Sequence, residues 1–267
     1  MLKDITLGKY YPGNSFVHSL DPRTKILLTL FFMVAVFFID NIWLFVPLAV
    51  FMYVVMKLTG IPVKYILQSL KPLRFIIIFM LIVNVLMVDT GKPLVEFWII
   101  KITDESVLRA VFVILRLVLL VLGTSLMTLT TTPILLTDGL ESLMSPLKKI
   151  KFPAHELAMM MTIALRFIPT LLDETDRIMK AQLARGADFE SGNLIKRAKA
   201  MIPIMIPLFI SSFKRADELA LAMDSRCYHG DSGRTRMKVM HFTKKDAVAI
   251  PVFIAIMCAI IAVGYII

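Results

Sequence analysis

The sequence predicts an all-α integral membrane protein, with about five transmembrane helices and a cytoplasmic module of long amphipathic helices. Three observations carry that expectation. Hydrophobic residues make up 58% of the chain and the mean hydropathy is +0.78, more than a soluble domain buries. Apolar runs of near-spanning length are separated by short polar breaks. Between the fourth and the last of them, in segment 131–245, apolar stretches twice give way to charged ones that end at an arginine.

The elements follow in order. Residues 1–25 are polar and basic with no apolar run before Ile26, so no cleavable signal peptide is expected. Asp21 is placed to cap a helix that has Pro22 at its first position. The run Ile26 to Ile39 follows, Asp40 and Asn41 break it, and Ile42 to Met56 returns as the second leg of a tight hairpin. Phe75 to Val88 is a third span, starting near Pro72. Ala110 to Leu129 is a fourth, and Arg116 in its middle either lines a polar path or makes a structural pair. Asp246 or Ala247 to Ile267 is the fifth. Trp98, in the link between spans three and four, is placed as an interfacial anchor. The expected division is a membrane domain of four spans at 1–130, a cytoplasmic domain at 131–245 and a last transmembrane helix at 246–267.

Charge orients these spans. Lys3, Lys9, Arg23 and Lys25 precede the first, and Lys57, Lys64, Lys71 and Arg74 follow the second. The opposite side carries Asp40, Asp89, Lys92, Glu96, Lys101, Asp104 and Glu105, acidic on balance. The positive-inside bias therefore puts the N-terminus and 131–245 in the cytoplasm of a multi-pass cell-membrane protein, and the C-terminus outside. The net charge of +10 fits this bias and an anionic lipid bilayer, so no nucleic-acid partner is expected.

Within 131–245, the runs Leu157 to Leu172 and Ala200 to Phe213 fall short of about 18 uninterrupted apolar residues. The first contains Arg166 and Pro169, and the second contains Pro203 and Pro207, which are read as structural with Asp21 and Pro22. If the runs crossed as a hairpin, the basic loop Asp173 to Lys199 would lie outside, against the charge rule. Long helices at the membrane surface fit better. On the first, Leu157, Met160, Met161, Ala164, Leu165, Ile168, Leu171 and Leu172 share one face. A smaller amphipathic helix, about Leu136 to Leu147, precedes both. Met159, Met160, Met161, Met201 and Met205 cluster on the apolar halves; their unbranched thioethers form either an adaptable docking surface or ordinary packing.

The charged halves end in an imperfect repeat, Asp176 to Gly186 and Asp217 to Cys227, with Asp and Arg at matching positions. Ala184-Arg185-Gly186 closes one copy and Ser225-Arg226-Cys227 the other. Arginine offers five donors and a fixed charge that fork onto a carboxylate. One such residue is accounted for by the helix dipole alone. Two matched copies suggest two similar sockets on a soluble partner. Gly186 suits a helix C-cap, and the same role is less clean at Cys227.

Other chemistry is sparse. His18, His155, His229 and His241 lack ligand spacing, and Cys227 and Cys258 suit neither a disulfide nor a metal. Asp173, Glu174 and Asp176 read as a solvated face paired with Arg177 and Lys180. No phosphate-binding G-x-x-x-x-G-K-[ST] loop occurs, so ATP energy would have to come from partner chains. Neither a cofactor nor catalysis is expected.

Together the residues resemble the transmembrane T-component of energy-coupling factor (ECF) transporters, the EcfT/CbiQ family of vitamin and metal importers, over nearly the whole length. The carriers are Leu20 to Lys25, Leu165 to Pro169, Ala184 to Gly186, and Arg215 to Ala220 leading to Ser225-Arg226-Cys227. The resemblance implies that 131–245 is a coupling module whose Arg185 and Arg226 dock into grooves on two ABC-type ATPase subunits. It also implies a membrane-embedded substrate-binding subunit, or several interchangeable ones. Ser225 and Cys227 depart from the family's Ala and Gly. A pore-lining permease subunit of a conventional ABC transporter is the alternative, and it would need more inward polar residues than the spans contain. An intramembrane enzyme would need converging acids, histidines or a nucleophile.

Overall fold

The structure, a computed structural model, describes residues 10–39, 41–87, 93–97, 100–189, 191, 193–230 and 239–266. The expectations at Lys3, Lys9, Asp40, Val88, Asp89, Lys92, Trp98 and Ile267 lie outside the described residues. The helices are α1 (Pro22–Phe37), α2 (Phe45–Thr59), α3 (Val63–Gln68), α4 (Arg74–Met87), α5 (Asp104–Thr130), α6 (Pro133–Met144), α7 (Ala154–Ala184), α8 (Leu194–Asp224) and α9 (Lys244–Ile266). Strands β1 (Pro93–Phe97) and β2 (Ile100–Thr103) pair antiparallel in a small hairpin that the helical pattern did not announce. The architecture is that of an all-α membrane protein with this one hairpin added.

The chain forms two compact units, Glu141–Val239 and Gly8–Leu140 with Met240–Ile267. In the latter, α5 is the central helix and packs against α1, α2, α3 and α4, while α1 also packs against α9. Phe32, Val36, Leu48, Leu119, Leu122 and Met257 are among its core residues. Gly123 allows α1 and α5 to approach, since a Cβ there would lie 2.8 Å from the Phe32 ring. The outward residues are apolar as well: Phe75 is 76% exposed, and Ile78, Phe79 and Ile82 accompany it on α4. Such a surface belongs against lipid tails rather than water.

Among the described residues, five helical segments are long and apolar enough to cross a membrane: Ile42–Thr59, Val63–Val85, Asp104–Thr130, Ala154–Ala184 and Lys244–Gly264. Four match expected spans. The first expected leg, α1, has 16 residues. That is about 24 Å of helix against a hydrocarbon core of about 30 Å. α7 reaches spanning length because the helix continues past its apolar run to Ala184.

Some boundaries moved for local reasons. α5 begins at Asp104 rather than Ala110, because Thr103 and Ser106 form a reciprocal capping box, with the Ser106 N–H donating to Thr103 Oγ1 at 3.3 Å. Asp104 and Glu105 then sit in the first turn, where the helix dipole favours acids. The small amphipathic helix starts at Pro133, earlier than Leu136, and tightens into a 3-10 segment at Ser145–Ile150. α1 has Asp21 as its N-cap, with the Arg23 N–H donating to Asp21 Oδ1 at 2.9 Å.

Arg116, left open by sequence, makes a long-range contact to the backbone. Its Nη2 donates to the Ile39 carbonyl at 2.6 Å, just beyond the end of α1. Its guanidinium also lies over the rings of Phe112 and Phe37, 4.6 Å and 5.7 Å from the centroids. Ile39 is buried just past the last turn of α1, and Arg116 supplies the donor for its carbonyl.

Buried polar residues close the same unit near its chain start. Asp246, 0% exposed, accepts from the backbone N–H groups of Asp21 and Thr243 and from the Thr243 hydroxyl. Lys25, 6% exposed, donates to the carbonyls of His18 and Thr130 at 3.1 Å and 3.0 Å. These bonds join the segment before α1, the C-terminus of α5 and the start of α9.

Candidate functional site

α7 and α8 each have 31 residues. Both run through their internal prolines, Pro169 in α7 and Pro203 and Pro207 in α8. Each proline removes one backbone donor from its helix. Arg166 is exposed and has no ion-pair partner among the described residues.

The two helix ends share one geometry. After α7, the Gly186 N–H donates to Leu183 O at 2.9 Å, the Ala187 N–H donates to Gln182 O at 3.0 Å, and Gly186 has φ +86°. After α8, the Cys227 N–H donates to Asp224 O at 2.8 Å, the Tyr228 N–H donates to Met223 O at 3.1 Å, and Cys227 has φ +54°. Both are Schellman closures with the arginine immediately before the left-handed residue. The doubt over Cys227 is thus resolved: it takes the backbone conformation of Gly186 despite its Cβ. Ala184, Arg185, Gly186, Ser225, Arg226 and Cys227 are all exposed, and neither arginine has an ion-pair partner among the described residues.

A left-handed conformation costs an L-residue roughly 1–2 kcal/mol, and glycine avoids that cost. Cys227→Gly is therefore expected to raise stability by about 1 kcal/mol. Gly186→Val, which puts a β-branched residue at positive φ, is expected to lower it by at least as much. Thermal unfolding of the purified variants checks both; a Cys227→Gly variant less stable than wild type would contradict the cap assignment.

The two helices meet through a long-range ion pair. Arg215 Nη2 donates to Glu174 Oε2 at 2.7 Å, with the side chains 37% and 23% exposed. The Ser211 hydroxyl, opposed by burial and helped by the Arg215 charge, holds the Glu174 carboxyl below its usual range. The acidic face therefore divides: Asp176 pairs with Lys180 at 2.7 Å within α7, while Glu174 reaches across to α8 instead of pairing along its own helix. The α7 row lining the space toward α8 is Ile163, Phe167 and Leu171. Met160 and Met161 on α7, and Met201 and Met205 on α8, are exposed; Met159 and Leu165 are half-buried.

Two of the four histidines, His18 and His155, have partners, while His229 and His241 are exposed. His18 bonds to Ser15 Oγ and to the Tyr11 carbonyl at 2.7 Å and 3.0 Å, and His155 Nδ1 lies 2.9 Å from Glu141. Among the described residues, no group of three or more His, Cys, Asp and Glu side chains could hold a metal. Sequence reasoning missed the Glu174–Arg215 pair. Its signal was the constant offset between the repeats, which this pair shares.

Fold and site define a multi-pass helical membrane protein that carries two matched, arginine-tipped helix ends. The family model of the cobalt transport protein CbiQ matches residues 13–238. The energy-coupling factor transporter transmembrane protein EcfT of Ruminiclostridium cellulolyticum is 52% identical over 266 residues, covering 100% of this chain and 99% of that protein. The proteins of the same name from Acidaminococcus fermentans and Bacillus subtilis are 57% and 45% identical, over 96% and 92% of this chain and 95% and 93% of their own lengths. The chain belongs to the family of energy-coupling factor transporter transmembrane proteins, and is a transmembrane component of such a transporter.

Proposed function

We propose that this chain is the scaffold and coupling subunit of an ECF-type importer for a vitamin or other micronutrient. Two ABC-type ATPase subunits dock at the ends of α7 and α8, one around Arg185 and one around Arg226. A membrane-embedded substrate-binding subunit, exchangeable among several, rests on the apolar halves of these helices, at Met159, Met160, Met161, Leu165, Met201 and Met205. ATP binding closes the ATPase pair, the two helix ends move with it, and the motion tilts or releases the substrate-binding subunit.

The observation that carries this reading is the repeated closure: two 31-residue helices, each ending in an exposed arginine with the same backbone turn behind it. A soluble motor with two-fold symmetry needs two equivalent handles. Arginine at a closely approachable helix end suits a carboxylate-bearing groove. The conventional permease reading loses support, because the intramembrane Arg116 is engaged by the Ile39 carbonyl. In this reading the N-terminus and 131–245 are cytoplasmic, and the basic residues after Leu172 keep α7 from crossing fully.

Topology is the direct test. Single cysteines at Ser191 and Ser232, in a chain lacking Cys227 and Cys258, are expected to resist a membrane-impermeant thiol reagent on intact cells and to react after permeabilisation. Labelling of either from outside would replace the coupling module with a crossing hairpin. Co-purification from the native membrane identifies the partners.

A further inference from the structure

Glu174 and Arg215 are equivalent residues of the two helices. They stand 41 positions apart. The same offset carries Asp176 onto Asp217, Lys180 onto Leu221 and Arg185 onto Arg226. Where two copies are related by a two-fold axis, a residue bonded to its own equivalent lies on that axis. From the pair, each helix runs eleven residues to its arginine (174 to 185, 215 to 226), about 16 Å. The two arms are equal.

The helices have room to move about this point. A cleft of about 290 Å³ lies between them, lined by Ile163, Phe167, Leu171, Ser212, Ala216 and Ala220 among others. A second, of about 350 Å³, is lined by Thr170, Asp173, Glu174, Arg177, Ile178 and Arg215. Arg215 borders both, so the ion pair bridges a gap that side chains leave open. An ion pair this exposed adds little to stability. What it provides is a directed link between two helices that are otherwise loosely engaged.

We propose that the Glu174–Arg215 pair is the pivot about which α7 and α8 open and close, so that displacement of one arginine tip is matched by the other. This makes Glu174 and Arg215 positioning residues for coupling, and it rests on the reading that Arg185 and Arg226 hold the two ATPases.

The test uses the full complex with its ATPases, in a chain lacking Cys227 and Cys258, with spin labels on cysteines replacing Lys180 and Leu221, equivalent positions on the two arms. Their side chains are exposed, Lys180 by 69% and Leu221 by 71%. The probe is a non-hydrolysable ATP analogue with magnesium. The unaltered pivot is expected to give a narrow inter-label distance that shifts when the analogue binds. Glu174→Ala should broaden the distance and abolish the shift while the ATPases still co-purify. Glu174→Arg with Arg215→Glu should restore both, which a role in overall stability alone does not require. Ala220→Phe, filling the apolar cleft, should hold the distance fixed with the ion pair intact. A Glu174→Ala complex that keeps the wild-type distance and shift, or a charge swap that restores neither, overturns the pivot. Failure of the docking reading is seen elsewhere, as normal ATPase co-purification by the Arg185→Ala, Arg226→Ala chain.

Discussion

Replacing Arg185 and Arg226 together with alanine is expected to abolish ATPase attachment and transport, while either single change leaves a weakened complex. Both side chains end their helices in solvent without an ion-pair partner among the described residues, so their charges are available for a socket. Removing one member of a buried interfacial charge pair typically costs about 2–5 kcal/mol, which is roughly thirtyfold or more in affinity. The two tips lie on separate helices, so their losses should nearly add. Arg→Lys at either site keeps the charge and loses the planar fork, and should fall between wild type and alanine. A pull-down of the ATPases by the double variant measures this directly. Normal binding and uptake would end the docking assignment.

Asp246→Ala is expected to give the largest loss of stability of any single change considered. Its carboxylate is fully buried and satisfies three donors, the N–H groups of Asp21 and Thr243 and the Thr243 hydroxyl. Each buried donor left unpaired costs about 1–3 kcal/mol, so the total should exceed about 3 kcal/mol. Lys25, buried nearby, would also lose a compensating negative charge. Asp246→Asn keeps the shape and part of the hydrogen bonding, and should recover part of the loss. Thermal unfolding in detergent and the yield of membrane-inserted protein are the measurements. An alanine variant as stable as wild type would show that these bonds do not hold the start of α9 in place.

Several features were legible because their cause is local. Asp21 before Pro22 satisfies a helix start by itself, and Gly186 supplies positive φ at a helix end whatever surrounds it. The apolar runs announced membrane helices because a bilayer imposes length and composition on each helix separately. The start of α5 was misplaced although its signal is also local: a serine stands where a capping box usually carries Glu or Gln.

Other features depend on residues far apart in the chain. Arg116 could be read as a path or a pair until the Ile39 carbonyl was found within 2.6 Å of it. Asp246 gave no signal beyond an acid at a helix start, because the N–H of Asp21 reaches it across 225 positions of sequence. The face of α7 carrying Met160 and Met161 follows a helical period, but period alone does not say which face meets α8. That contact belongs to the row of Ile163, Phe167 and Leu171. Cys227 looked like a flaw in the repeat, yet the closing hydrogen bonds to Asp224 and Met223 are enough to hold it in glycine's conformation. By itself the sequence determined the membrane class, most of the helices and the two arginine motifs, since each is written in the periodicity and charge of neighbouring residues. Only the tertiary structure decided that Glu174 meets Arg215, that Arg116 meets the Ile39 carbonyl and that Asp246 meets the N-cap residue of α1. Those outcomes follow from which buried donors and acceptors folding brings within hydrogen-bond reach.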